Sequence, residues 1–340
     1  MTTAGRRPIR LALIGAGIFA RDAHVPALLE LGEAFEVTVV CSRTAESAAR
    51  LNALLPRPAD VVHDIDAVLA RDDVDAVDVL LPIHLIPGAV EKALAAGKHV
   101  ISEKPMAPDV ASGRHLLGVY ARHPELVYVV AENYRFEPPF LTAAEIVASG
   151  EIGVVRTAHW SIHVQMRADN KHYHTAWRHT EQHPGGFVMD GGVHQIAVFR
   201  LVVGEIDVVS AITTHTRTDL PAPDSLVSAL HFATGAVGSW LLTYTTGAPW
   251  FGPLEVVGSE GALRVWEHAV EVTSGGETRH IAAPRYQGVR EELAAFAAAI
   301  NDGAPHISGP GQGLQDVAVI EAMLKSGQTG QRVAVERILA

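Results

Sequence analysis

Cysteine is almost missing from this chain: Cys41 stands alone among 340 residues, which excludes an intrachain disulfide and a cysteine-based zinc centre. That scarcity fits a reducing compartment. Cys41 itself reads as packing, the alternative being a reactive thiol beside a cofactor. Positive charge is short as well, with 27 Lys and Arg against 38 Asp and Glu and a formal charge of -11. Without a basic block, no nucleic-acid partner is expected. No apolar run reaches the roughly 18 residues that a membrane-spanning helix needs, so no membrane partner is expected either. Arg6-Arg7 ahead of the apolar run Ile9–Ile18 superficially resembles an export signal. No small-residue cleavage pattern precedes Arg21-Asp22, and the chain reads as cytoplasmic. Internal repeats and low-complexity tracts are lacking too. What is present, 48% hydrophobic residues over this length, is enough to bury the cores of two domains.

The first half alternates strands with helices. An apolar strand over Ile9–Ile14 runs into Gly15-Ala16-Gly17-Ile18-Phe19-Ala20, and helical spacing follows through Ala27, Leu28 and Leu31. Gly15 permits a tight turn, Gly17 lets a pyrophosphate approach the backbone, and Ala20 lets helix and strand pack closely. Free amides at the helix start then face the phosphates. Further strands are expected over Phe35–Cys41, over Val74–Leu81 and from Val100 to Glu103, with helices over Ala45–Leu55 and Pro87–Ala96. This order predicts a doubly wound parallel sheet of Rossmann type, its ligand at the strand C-terminal ends: Gly15, Ser42-Arg43, Leu81-Pro82 and Glu103-Lys104. A carboxylate after the second strand would hold the ribose hydroxyl of NAD. Here Ser42-Arg43-Thr44 offers a hydroxyl and a guanidinium able to hold a 2′-phosphate, so NADP is expected over NAD unless Arg43 is only a solvated loop residue.

After Tyr134-Arg135-Phe136 and Pro138-Pro139 the pattern changes. One helix over Phe140–Ser149 is followed by extended segments at Val154–Val164, Val208–Arg217, Leu226–Phe232 and Val237–Thr245, with turns at Thr234-Gly235 and Glu260-Gly261. Strand after strand predicts a C-terminal α+β domain with an open, largely antiparallel sheet. The expected division is a dinucleotide-binding domain over 1–133 and a substrate-binding and oligomerisation domain over 134–340. Its closing helices, over Val289–Ile300 and Leu314–Lys325, are free to pack back on the first domain.

Within the second half, Gly185-Gly186-Phe187-Val188-Met189-Asp190-Gly191-Gly192-Val193-His194 puts a carboxylate and an imidazole four residues apart, on one face of a helix. They read as a proton-handling pair, or else as a bridge within the helix. Glu103-Lys104-Pro105, far upstream at the edge of the dinucleotide-binding half, supplies a third ionisable group. Together these suggest a dehydrogenase.

The glycine loop, the run Ala96-Gly97-Lys98-His99-Val100 with Glu103-Lys104-Pro105, and Asp190 with His194 resemble the glucose-fructose oxidoreductase, inositol dehydrogenase and MocA family. The resemblance covers nearly the whole chain. It implies an NAD(P)-binding Rossmann domain, an open-sheet second domain, sugar or cyclitol substrates, and a homodimer or homotetramer formed through the exposed sheet face. It also implies that Lys104 contacts the substrate hydroxyl and the nicotinamide ribose, that His194 is the catalytic histidine with Asp190 its nearby acid, and that Pro105 follows a cis bond that aims Lys104 into a cleft. The chain departs from the family at Leu81-Pro82-Ile83-His84, where many members have Thr-Pro-Asn, and at Ala197, where many carry an acid. Leu81, Pro82 and His84 are still expected beside the cofactor.

Oxidising a secondary alcohol needs a base for the hydroxyl proton while hydride leaves the same carbon. His194 suits that role near neutrality, with Asp190 orienting it; Lys104 is the alternative, or stabilises the alkoxide. Histidines 159, 163, 172, 174, 179 and 183 cluster in sequence, but His179-Thr180-Glu181-Gln182-His183 lacks the glutamate that a zinc-protease motif places directly after the first histidine, and no metal is expected. The region reads as a polar substrate loop. Trp177-Arg178 is its best sugar-binding pair, though Trp177 reads equally as core or interface; His174 lies in the same loop, Tyr134 and Tyr173 are weaker candidates, and Trp160 reads as core or interface. Arg135 reads as an interdomain hinge. Two other functions stay open: a nucleotide-binding sensor without chemistry, and an oxidoreductase whose NADP is held without exchange.

Overall fold

The structure is a computed structural model describing residues 7–171, 173–180, 185–284 and 287–338. Two compact units form. The first contains the chain through Ala107, Ala111–Ala131 and Val289–Gln312; the second contains Pro108–Val110, Glu132–Gly288 and Gly313 onward.

In the first unit, β1 (Ile9–Ile14), β2 (Phe35–Cys41), β3 (Asp60–Val62), β4 (Ala76–Val79), β5 (His99–Glu103) and β6 (Tyr128–Ala131) form one parallel sheet. Its order is β3-β2-β1-β4-β5-β6. The winding reverses between β1 and β4, which is where a doubly wound sheet opens a ligand crevice. Because helices cover both faces, the central strands are near-continuous apolar runs, with Leu11, Leu13, Val77 and Val79 fully buried. The Rossmann expectation holds. Two strands and two helices are additions to it: β3, too short to show a period, the short helix Ile65–Leu69, and β6 with the preceding helix Val110–Tyr120. The strand expected over Val74–Leu81 is confined to Ala76–Val79, since Pro82 lacks the amide that would extend a ladder. From the far end of the chain, Leu293, Phe296 and Ala297 of the helix Gly288–Asp302 join the core of Leu11, Val25 and Phe35. Phe296 stacks on Phe35 with centroids 6.4 Å apart.

In the second unit, ten strands form a mixed, largely antiparallel sheet. They are β7 (Val155–Gln165), β8 (Ile206–Thr214), β9 (Ser225–Phe232), β10 (Val237–Thr243), β11 (Thr245–Phe251), β12 (Leu254–Gly258), β13 (Gly261–Trp266), β14 (Ala269–Ser274), β15 (Glu277–Ala282) and β16 (Val333–Ala334). The order is β15-β14-β13-β12-β7-β10-β9-β8-β16, with β11 paired to β7 off this path. The pair β7/β10 is parallel; its neighbours are antiparallel. Along β9 burial alternates strictly, so Leu226, Leu230 and Phe232 face inward while Val227 and His231 face outward. The inward face meets the helices Pro138–Ala148 and Gly186–Val202, and a run of aromatic contacts, Phe140 to Trp160, Trp160 to Phe199 and Phe199 to Phe232, spans that layer at 5.8, 5.9 and 6.0 Å. Deep in the same unit, Asp316 accepts from Arg135 at 2.8 Å and from Arg200 at 2.5 Å. The hinge role expected for Arg135 is therefore corrected: its guanidinium satisfies a buried carboxylate of the second unit, which an unpaired charge there would require. Among the described residues no helix is long and apolar enough to cross a membrane.

Candidate active site

The glycine loop of the first unit is shaped by contacts that exclude a side chain. Gly15 has φ +118°, and a Cβ there would stand 2.3 Å from the carbonyl oxygen of Leu80. Its amide donates to the Cys41 carbonyl of β2 at 2.9 Å. Gly17 faces open space, so the backbone is approachable from outside. The chain then enters a π-helical turn, Ala20–His24, which continues as the helix Val25–Glu30 with Ala20 buried beneath it. Such a cradle fits a dinucleotide: a close-approach glycine, exposed loop amides and a helix start. Ile18 is half-buried and Phe19 exposed on the same loop.

At the end of β2, Ser42 is fixed by its backbone, donating to Val62 at 3.0 Å and accepting from His63 Nδ1 at 2.7 Å, while the Arg43 side chain is exposed. Cys41 is buried and burial pushes its thiol upward, so it packs rather than reacts. Leu81 and Pro82 are half-buried and lead into the turn Ile83–Leu85, which carries a half-buried His84. Glu103 ends β5, and the Lys104–Pro105 bond that follows is cis, as the resemblance implied.

Two further residues of this unit escaped the sequence reading. His24 is fully buried, with Nδ1 2.7 Å from Asp78 Oδ2 and Nε2 3.0 Å from Glu103 Oε1. Burial, the largest single influence, pushes the imidazole down, but the charges and hydrogen bonds of Asp78 and Glu103 together outweigh it and hold His24 well above the usual range. The overlooked signal was Asp78, a carboxylate inside the apolar run Val77 to Leu81.

In the second unit, the helix Gly186–Val202 carries Asp190 and His194 one turn apart, as expected. The sequence reading gave the orientation of His194 to Asp190. In the structure the carboxylate at His194 Nδ1 is that of Glu132, at 2.6 Å and with its side chain 2% exposed, while Asp190 Oδ2 accepts from Arg178 Nε at 2.8 Å. Tyr134 stacks on the imidazole with centroids 4.4 Å apart. Glu132 was missed although Ala131-Glu132-Asn133 puts a charge directly after an apolar strand. With Nδ1–H donating to Glu132, Nε2 is the nitrogen left to exchange a proton.

A cavity of about 520 Å³ opens beside this dyad, its wall including Tyr134, Trp160, Asn170, His194, Tyr244 and Trp266. Gly191 explains how Tyr244 reaches the helix: a Cβ at Gly191 would lie 2.1 Å from the tyrosine hydroxyl. Burial first, then the charge of Asp190, pushes that hydroxyl upward, so it stays a hydrogen-bond donor. Of the expected substrate contacts, Tyr134 lines the cavity. Arg178 lies over the Trp177 ring at 4.1 Å and donates to Thr175 as well as Asp190, so its guanidinium ties this loop to the helix that carries His194. His174 is exposed, edge-on to Tyr173 at 5.2 Å. Trp160 donates to the Gly252 carbonyl at 2.9 Å. His172, Glu181, Gln182 and His183 of the histidine-rich loop lie outside the described residues, as does Arg6. Among the described residues no group of three or more His, Cys, Asp or Glu could hold a metal ion.

Residues 9–131 match the NAD-binding Rossmann fold of an oxidoreductase family, and residues 144–335 match the C-terminal alpha/beta domain of the same family. The chain is 31% identical over 342 residues to dehydrogenase FPY6 of Fusarium mangiferae, covering 94% of this chain and 96% of that one. It is 27% identical to the inositol 2-dehydrogenase of Rhodococcus erythropolis, over 97% of this chain and 96% of that one. The crystal structure of an oxidoreductase from Thermotoga maritima superposes with a TM-score of 0.91 at 36% identity, covering 98% of this chain and 100% of that one.

Proposed function

Since the chain belongs to the glucose-fructose oxidoreductase, inositol dehydrogenase and MocA family of oxidoreductases, we propose that it transfers hydride between NADP and a secondary alcohol or ketone of a sugar, sugar derivative or cyclitol. The observation that carries this reading is the Glu132–His194 dyad on the wall of an aromatic cavity. Aromatic rings suit the apolar faces of a sugar ring, and Asn170 and the Tyr244 hydroxyl suit its hydroxyl groups.

In this reading residues 1–133 serve the cofactor and residues 134–340 the substrate. Loop amides around Gly15, Gly17, Ile18 and Phe19 receive the pyrophosphate; Ser42 and Arg43 receive the 2′-phosphate; Leu81, Pro82, His84 and Glu103 flank the nicotinamide half. NADP, when bound, supplies the hydride acceptor or donor. His194 Nε2 takes the hydroxyl proton during oxidation and returns it during reduction. Lys104 is assigned to the reacting oxygen and the nicotinamide ribose, where its charge lowers the cost of a developing alkoxide. Asp190 holds Arg178, and through it Trp177, beside the helix that presents His194.

The test is the absorbance of reduced nicotinamide with NADP and NAD across aldoses, ketoses, deoxysugars and inositols, with His194→Ala and Lys104→Ala beside the wild type. Turnover with at least one neutral polyol is expected, falling by about 10²- to 10⁴-fold in His194→Ala. Tight NADPH binding with no turnover on any of them would overturn the reading in favour of a nucleotide-binding sensor.

A further inference from the structure

We propose that His24 is a positioning residue: locked between Asp78 and Glu103, it ties the helix after the glycine loop to the strand end that carries Lys104, and so sets both cofactor affinity and turnover. The turnover half of this inference rests on the function proposed above; the affinity half does not.

Both ring nitrogens of His24 face carboxylate oxygens, at 2.7 and 3.0 Å, and only an imidazolium can donate to both. The three residues come from three elements: His24 from the turn that follows the loop, Asp78 from the middle of β4, and Glu103 from the end of β5. Asp78 and Glu103 are the charged groups that face the ring; Arg21 and Asp22 of the same turn pair with each other at the surface, at 2.7 Å. Phe19, from the loop, closes on the imidazole edge-on with centroids 5.4 Å apart. A displacement of the loop is thus transmitted to Glu103, and Glu103 is bonded to Lys104 in the chain.

Stability does not account for this cluster. Asp78 lies among Val77, Val79 and Ile101, all fully buried, where an apolar residue would serve the sheet. Its Oδ1 has no hydrogen-bond partner among the described residues, and half-satisfied buried carboxylates cost stability. Replacing a buried ion pair by apolar residues of similar size is often neutral or stabilising. Glu103 is the member nearest solvent, its side chain 12% exposed against 0% for His24 and Asp78, so the cluster opens only at the residue next to Lys104.

The experiment compares wild type, the double variant His24→Leu/Asp78→Val, and the isosteric Asp78→Asn. Thermal unfolding establishes that each is folded, nucleotide binding is titrated by tryptophan fluorescence with NADPH, and kcat is followed against pH on the best substrate of the wild type. The double variant removes both buried charges and leaves Glu103 unanchored. It is expected to bind NADPH several-fold more weakly at every pH and to lose about 10- to 100-fold in kcat, the cost of a misplaced group. Asp78→Asn removes one of two carboxylates, so His24 titrates at lower pH. Affinity and kcat should then match wild type at low pH and fall as pH rises, on a new basic limb that begins at lower pH than any in the wild type. Should the double variant fail to fold, that new limb in Asp78→Asn still decides the matter, since a merely structural residue would not create one. NADPH binding and pH profiles that superimpose on wild type in the folded variants would overturn the inference. A wild type inactive on every polyol would overturn the proposed function and leave the binding arm to decide this one.

Discussion

His194 Nδ1 lies 2.6 Å from Glu132 Oε1, and Tyr134, two residues beyond that glutamate, stacks on the same imidazole with planes 22° apart. One short segment therefore supplies both the partner and the wall that orient the ring. Glu132→Gln keeps the shape but replaces an obligate acceptor by an amide that can also donate, so the imidazole can adopt the tautomer with Nε2 protonated. The expected outcome is a fall in kcat of about 10²- to 10⁴-fold with little change in KM, measured by steady-state kinetics beside circular dichroism. An unchanged kcat would show that the dyad does not set the protonation of His194.

At the end of β2 the exposed Arg43 follows a serine whose backbone is tied down on both sides. A guanidinium bonded to a phosphate is a charge-assisted interaction, worth about 1.5–3 kcal/mol, and an NADH ribose offers it nothing comparable. Arg43→Ala should weaken NADPH binding by about 10- to 100-fold and NADH binding by much less, read as the shift in Kd by fluorescence titration. Equal losses would remove Arg43 from the 2′-phosphate site.

Asp75 closes the start of β1, accepting from Arg10 at 2.7 Å and Arg7 at 2.8 Å and from the Arg10 amide at 3.0 Å. Burial is the largest single influence on its carboxyl and pushes it up, but the bonds from Arg10 and Arg7 together hold it well below the usual carboxylate range. A carboxylate lowered on folding stabilises fully above its unfolded pKa of about 4 and loses that stabilisation as pH falls toward the folded value. Thermal unfolding of the wild type should therefore move to lower temperature below about pH 4. Asp75→Asn should flatten that limb and cost about 1–3 kcal/mol at neutral pH. An acid limb identical in the variant would place the sensitivity elsewhere.

The fold was legible in the order of the apolar segments: strands alternating with helices from Ile9–Ile14 through Phe35–Cys41 to Glu103 require a parallel sheet, and strand following strand after Val154 requires a largely antiparallel one. Local chemistry was legible where it obeys spacing, as with Gly15, Gly17 and the Asp190–His194 turn. What stayed hidden depends on residues far apart in the chain. His24 meets Asp78 across 54 positions and His194 meets Glu132 across 62, and neither separation leaves a periodic trace. Gly191 and Gly192 inside a helix were the visible half of a packing constraint whose other half, Tyr244 and Trp240, comes from β10 and the residue after it.

The outer face of the second sheet carries the last prediction, the association of copies of this chain. Ile212 on β8 and Val227 on β9 are directly opposed and are 71% and 44% exposed; Val237 on β10 and Val257 on β12, 50% and 43% exposed, lie on the same face. Exposed apolar residues gathered on one sheet face are what an interface between copies would bury. The cavity is lined from the opposite face, by Trp160, Ile162 and Leu242, so a charge placed on the outer face leaves its wall intact. Wild type should elute as a dimer or tetramer in light-scattering chromatography, and Ile212→Glu/Val227→Glu as a monomer, because two carboxylates directly opposed within the face would have to lose their water on docking. A wild type that is monomeric at micromolar concentration would refute the association, and a double variant that stays oligomeric would move the interface to another surface.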